Sequence, residues 1–133
     1  MRMIMAALTG LALVAAPVSA KTPLRDVPAI DGQMLNVALA LEISEKCSEI
    51  KARQMKGLNF LFSLKRKANA LGYSDSEINA YRKSPAEKAR IRKLGEAYVK
   101  SKGLDPKNAA DLCTLGRAEI AAGSVIGSLL RAN

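Results

Sequence analysis

The clearest pattern along the chain is the helical spacing of its apolar side chains. From Leu39 to Leu71 they recur at steps of three and four positions, which places them on one face of an amphipathic helix. Asp31 can cap the start of this segment, and Gly72 can end it. Gly57 lies in the middle, where glycine costs a helix about 1 kcal/mol relative to alanine. We therefore expect one long helix bent near Gly57, or two helices with a tight join.

Capping signals predict further helices downstream. Ser74 and Glu77 have the spacing of a capping box, so a short helix should follow them. A second cap precedes Pro85, and a helix that opens there can run to Lys102. Asp105, followed by proline, is expected to start a last helix. We find no alternation of β-branched and aromatic residues that would indicate a strand.

The N-terminus has a different pattern. The apolar run Ile4–Ala16 is shorter than the about 20 residues that a membrane-spanning helix needs. It ends before small residues at Val18–Ala20, which suit a signal peptidase. We therefore expect residues 1–20 to be a cleavable secretory signal, with an uncleaved anchor or a buried core helix as the alternative. Residues 21–30 contain two prolines and predict an extended lead-in.

These patterns predict one helical domain over residues 31–133. The chain left after cleavage is long enough to bury a single core. We expect an all-α fold, a small bundle of four to five helices, in the periplasm. No later segment is long and apolar enough to span a membrane.

Two cysteines, Cys47 and Cys113, lie in the predicted domain. Export would place them in an oxidising compartment, where disulfides form and persist, so we expect a bond that clamps the bundle. Two free, buried cysteines are the alternative. A metal site is less favoured, because the chain contains no His and the cysteines lack a third ligand at zinc-like spacing.

Small residues in the last predicted helix leave one of its sides slim. Gly116 and Gly123 stand among several alanines there, and small residues let a second helix approach closely. We favour a contact between helices inside the bundle over a groove for a partner.

The chain is strongly basic, with 21 Lys and Arg against 12 Asp and Glu, a formal charge of +9. Four cations surround a narrow apolar edge of the helix that opens at Pro85: Lys88, Arg90, Arg92 and Lys93. They are candidates for a surface that binds an acidic envelope protein or an anionic lipid surface. Export argues against nucleic acid as the partner. The alternative is a solubilising surface without a specific ligand.

Candidate catalytic chemistry is scarce. Without His, the chain lacks the usual base for a Ser or Cys nucleophile, and it carries no phosphate-binding glycine loop. Glu42, Glu45 and Glu49 lie along one helix face and fit a solvated surface better than a pair of catalytic carboxylates. We therefore expect no enzyme, no catalytic or metal-binding residues and no cofactor. The leading hypothesis is a binding or interaction protein. An envelope stress or chaperone-like protein is second, and an unusual hydrolase third.

Several segments carry a resemblance to known sequences: Leu24–Pro28, Leu71–Asp75, Glu87–Arg90, Gly95–Tyr98, Leu112–Cys113 and Gly116–Ser124. Together they resemble a family of small exported helical proteins of alphaproteobacteria, catalogued as a domain of unknown function. The resemblance implies a helical fold, a bond between Cys47 and Cys113, and a periplasmic address. It implies no catalytic residues.

Overall fold

The computed structural model describes residues 21–133, so the predicted signal over residues 1–20 lies outside the described residues. The helices of the described part are α1 (Pro28–Lys46), α2 (Gln54–Ala70), α3 (Asp75–Lys83), α4 (Pro85–Ser101), α5 (Ala109–Ala122) and α6 (Val125–Ser128). A 3-10 turn covers Leu24–Asp26, and two short strands are β1 (Ile50–Ala52) and β2 (Leu130–Ala132). The all-α prediction is confirmed. Between residues 21 and 133, no helix combines the length and the apolar character needed to cross a membrane.

The first helix begins earlier than predicted. α1 starts at Pro28, so Asp31 lies inside its first turn and does not cap it. Proline suits this position because its backbone nitrogen has no hydrogen to leave unpaired and its φ is already helical. The expected extended lead-in is therefore a 3-10 turn followed by the start of α1, and it buries Leu24 and Ile30.

The long helical segment is interrupted, but not at Gly57. α1 ends at Lys46, and α2 begins at Gln54 after a connection that contains β1. Gly57 lies inside α2, and a Cβ added there would meet no atom within 4 Å. The expected tight join is thus a longer connection, located before the glycine.

The prediction of no strands is wrong. β1 pairs antiparallel with β2, with Ile50 opposite Ala132 and Ala52 opposite Leu130. Each strand has only three residues, which is too short to show a period of two. The pair fastens the end of the chain to the connection between α1 and α2.

The two predicted serine caps are confirmed. The side chain of Ser74 accepts from the backbone N–H of Glu77 at the start of α3. Ser84 accepts in the same way from Glu87 at the start of α4. Both caps need only residues three positions apart, so the local sequence determines them.

The start of the last long helix was predicted too early. α5 begins after Asn108, whose side-chain oxygen accepts from the N–H of Asp111 at 3.0 Å. Asp105 instead accepts from the N–H of Lys107 and closes a turn before the helix. The helix ends at Gly123, which has a left-handed backbone with φ 64°.

The disulfide prediction is confirmed. Cys47, directly after α1, is bonded to Cys113 in α5 across 66 positions of sequence. Cys47 lies in the main core, which is built around Ile43, Leu112 and Leu115. The bond therefore joins the end of the first helix to the middle of the core.

Gly116 makes the internal contact that its sequence context favours. A Cβ at this position would lie 2.5 Å from Ile50 Cδ1 and 2.8 Å from Ile43 Cγ2. Such distances are closer than carbon atoms can approach, so only glycine fits without movement of both isoleucines. The slim side of α5 is thus filled by the core.

Candidate binding groove

An open groove of about 800 Å³ lies between α1 and α4, with α2 beside it. Its floor is one face of α1, where Met34, Ala38 and Leu41 follow each other at helical spacing. Ile91 and Val99 line it from α4, and Leu61 lines it from α2. A concave site of this size with a largely apolar lining is typical of a ligand-binding site.

The groove exists because α1 is apolar on two faces. Leu39, Ala40 and Ile43 point into the main core and are buried. Leu41, on the groove side, is 49% exposed. A helix that is apolar all round is normally buried all round, so this second face has the composition of a covered surface. The sequence signal for this second face is the nearly continuous apolar run from Met34 to Ile43, which a single helical stripe does not describe.

α1 and α4 run in the same direction along the groove. Asp31, near the start of α1, contacts Arg90, and further along both helices Leu39 faces Gly95. A Cβ on Gly95 would lie 3.5 Å from Leu39 Cδ2, an ordinary van der Waals contact, so the two helices pack directly against each other here. The groove therefore has two distinct ends, one beside the start of α1 and one beside its end.

The charges differ between the two ends. Arg82 and Lys88 lie beside the start of α1, and Arg92 lies one turn further along α4. The opposite end is lined by three carboxylates and two cations: Glu42, Glu45, Glu96, Lys46 and Lys107. Lys46 is held there by Glu42 at 2.6 Å, and this hydrogen bond raises the pKa of the lysine. One end is thus basic, and the other is mainly acidic.

The four cations predicted as an acidic-partner surface do not share one environment. Lys88, Arg92 and Lys93 are exposed, whereas Arg90 is partly buried. Arg90 donates to Asp31 Oδ1 at 2.5 Å and to Glu87 Oε2 at 2.8 Å. These bonds raise the pKa of the guanidinium above its usual value, and the bond to Asp31 has the largest effect. Arg90 therefore joins α4 to α1, and the other three cations remain on the surface.

Tyr81 completes the polar cluster at the basic end. Its hydroxyl donates to Asp31 Oδ1 at 2.5 Å, and burial together with this bond raises the pKa of the phenol. α1, α3 and α4 meet at this carboxylate. Its partners lie 50 and 59 positions away in sequence, so local spacing could not reveal them. The cluster fixes the basic end of the groove.

The groove continues into a smaller apolar cavity of about 260 Å³ between α2 and α3. Met34, Leu61 and Tyr81 line both spaces. Leu58 and Phe62 of α2 form the outer wall of the smaller cavity, and both are about half exposed. The apolar surface therefore extends from α4 past α1 to the solvent side of α2.

A second polar cluster lies in the opposite part of the molecule, around Glu119. This carboxylate is only 7% exposed and accepts from the hydroxyls of Tyr98 and Ser124. Burial and the bond to Glu119 raise the pKa of Tyr98 to about 12. Both carboxylate oxygens are engaged, so the cluster ties α4, α5 and the start of α6 together. Local spacing does not reveal this cluster, because Tyr98 lies 21 positions before Glu119.

One group of side chains has the residue types of a metal site. Cys47, Glu49 and Cys113 have ligand atoms within 4.8 Å of one another. A cysteine binds metal as a thiolate, and both sulfurs are used in the disulfide. Glu49 accepts from Arg117 at 2.7 Å. In this bonded form the group is a structural junction.

The fold and the groove define a class: a small, disulfide-bridged helical protein with an apolar groove whose ends carry opposite charge. The chain belongs to a family of unknown function, DUF5333, whose model matches residues 22–131. No curated protein and no solved structure matches this chain. The match agrees with the resemblance to a family of unknown function, and it assigns no ligand.

Proposed function

We propose that this protein is a non-enzymatic binding protein of the periplasm, and that the α1–α4 groove holds a single-chain amphiphile with an acidic head group. One observation carries the proposal. The apolar floor of α1, with Leu41 half exposed, lies next to the exposed cations Lys88 and Arg92 at one end of the groove, whereas carboxylates outnumber cations at the other end.

The floor has the length of a linear alkyl chain. From Met34 to Glu45 the helix spans about 17 Å, because an α-helix rises about 1.5 Å per residue. Along this distance the ligand would contact Ala38 and Leu41 of α1 and Ile91 of α4. Covering these side chains removes apolar surface from water, which favours binding.

The charges support one orientation of the ligand. Lys88 and Arg92 are exposed on the rim and can donate charge-assisted hydrogen bonds to a carboxylate or phosphate head. At the other end Glu42 and Glu45 would repel such a head. The acidic head therefore lies near the start of α1, and the chain extends along the floor.

The cellular location of the protein is part of the same proposal. We expect residues 1–20 to be removed on export to the periplasm, in an alphaproteobacterial cell. The disulfide between Cys47 and Cys113 is compatible with an oxidising compartment. Intact-mass analysis of the exported protein should give a chain that begins at Lys21, and a species that retains Met1 would contradict cleavage.

The test uses residues 21–133 and calorimetric titration with dodecanoate, dodecanol and dodecylamine below their micelle concentrations. We expect dodecanoate to bind most tightly. Lys88→Gln combined with Arg92→Gln should weaken its binding about tenfold, because charge-assisted hydrogen bonds are lost. Lys100→Gln, a cation of α4 outside the groove lining, is the matched control and should bind as the unchanged protein does.

A second pair of variants tests the groove itself. Ala38→Trp fills the floor and should abolish binding of dodecanoate, whereas Leu94→Trp, on α4 outside the lining, should retain it. Equal binding of dodecylamine would contradict the assigned charge. Suppression of aggregation of an unfolded protein that survives Ala38→Trp, without dodecanoate binding by the unchanged protein, would instead support the chaperone-like alternative.

A further inference from the structure

α2 carries a second apolar stripe on its solvent side. Its buried side chains Leu64 and Ala68 face the body of the protein. On the outside, Met55, Leu58 and Phe62 are 72%, 47% and 51% exposed. Their spacing of three and four positions aligns them in one row along the helix. None of the three lines the α1–α4 groove.

The surroundings of the stripe are basic. α2 contains no Asp or Glu, and its cations are Lys56, Lys65, Arg66 and Lys67. Three further exposed cations lie near its start, on the connection and on β2: Lys51, Arg53 and Arg131. With Lys56 and Met55 they line an open depression of about 900 Å³. Among the cations of α2, Lys65 is paired with Asp75, at 3.7 Å.

We propose that α2, with the cations at its start, is a docking surface for an anionic lipid bilayer. A helix with apolar residues on its outer face and Lys or Arg beside them lies flat at the boundary between head groups and acyl chains. Met55, Leu58 and Phe62 would enter this boundary. The cations at the start of α2 would contact lipid phosphates, whose negative surface potential attracts them.

The high exposure of the stripe favours a bilayer over an acidic protein as its partner. Side chains that anchor protein interfaces lie in well-packed pockets of the partner. Here exposed flexible and aromatic side chains lie among cations, and a fluid interface can close around them without a shaped pocket. Docking would also bring the cavity between α2 and α3 to the lipid, since Leu58 and Phe62 form its outer wall. The inference goes beyond the proposed ligand and does not require it.

The test is co-sedimentation of residues 21–133 with vesicles of phosphatidylcholine alone and of phosphatidylcholine mixed with phosphatidylglycerol. We expect binding to the anionic vesicles only, and weaker binding as salt rises. Met55→Asp should abolish it. Leu71→Asp is the matched control, because Leu71 is 52% exposed but lies just past the end of α2 and off the stripe. It should bind normally.

The contribution of the cations is tested separately. Lys51→Gln combined with Arg53→Gln should weaken vesicle binding about thirtyfold, as the loss of two surface cations predicts. The matched control is Lys83→Gln combined with Lys100→Gln, which removes the same charge elsewhere and should bind normally. Thermal unfolding of each variant verifies that it folds.

The inference is overturned by equal binding to neutral vesicles, by controls that lose as much binding as the test variants, or by capture of an acidic protein through Met55 without vesicle binding. Ala38→Trp separates this inference from the proposed function. It should bind vesicles normally, so a failure of the groove ligand and a failure of membrane docking give different results.

Discussion

The two parts of this molecule each have a buried core but differ in how much apolar surface they leave exposed. In the first part, formed by the core-facing side of α1 together with β1, α5, α6 and β2, large apolar side chains are buried. A disulfide, a strand pair and Glu119 close this part of the structure. In the second part, formed by α2, α3, the start of α4 and the facing side of α1, Leu41, Leu58 and Phe62 remain about half exposed. We call these the closed half and the open half. Ile43, Ile50 and Leu115, which are among the largest fully buried side chains, lie in the closed half, and the proposed ligand groove opens in the open half.

The largest expected effect is loss of the disulfide. Replacing Cys47 and Cys113 together by serine should lower the free energy of unfolding by about 4 kcal/mol, since the bond restricts the unfolded chain over a long loop. Urea unfolding measures this change. Leu58→Ala in the open half is the comparison and should cost less than about 1 kcal/mol, because that side chain is half exposed. Equal losses from the two changes would break the distinction between the halves.

A smaller effect is expected from filling the contact at Gly116. Gly116→Ala should lower the free energy of unfolding by about 2 kcal/mol, because its Cβ would collide with Ile50 and Ile43. Gly57→Ala is a matched control in the open half. It meets open space inside α2 and should raise stability by about 1 kcal/mol through helix propensity. In thermal and in urea unfolding, the midpoints of the two variants should therefore shift in opposite directions. A gain in stability from both substitutions would show that the closed half is loosely packed.

The smallest expected effect is a pH dependence in the closed half. The pKa of Tyr98 is raised to about 12, whereas the same tyrosine in the unfolded chain titrates at about 10. The folded state therefore holds this proton more tightly than the unfolded chain does. Its contribution to stability is complete below about pH 10 and is lost as the pH rises toward about 12. Tyr98→Phe should flatten the decline of stability in that range, measured by urea unfolding at each pH. An unchanged slope would mean that the bond to Glu119 contributes nothing.

Local sequence predicted the features that need only near neighbours. The caps at Ser74 and Ser84 each join residues three positions apart, and both were predicted correctly. The class of fold followed from apolar spacing, and the pairing of Cys47 with Cys113 followed from there being two cysteines in a chain expected to be exported.

The features that define the site depend on distant partners. Arg90 looked like one of four equivalent surface cations, and only its contact with Asp31, 59 positions away, separates it from the others. The strands are held by pairing between Ile50–Ala52 and Leu130–Ala132, segments too far apart in sequence for any short window to contain both. The apolar run of α1 is visible in the sequence, but the groove depends on the position of α4 beside α1, which that run does not specify.

We propose that the ligand lies in the groove of the open half and does not reach α6 or the strand pair. The most direct measurement is the titration of isotope-labelled residues 21–133 with dodecanoate, followed through the amide NMR signals. We expect the signals of Ala38, Leu41, Lys88 and Arg92 to shift in a saturable way, while those of α6 and both strands stay in place. Saturable shifts centred on the closed half, or no shifts at all, would contradict it.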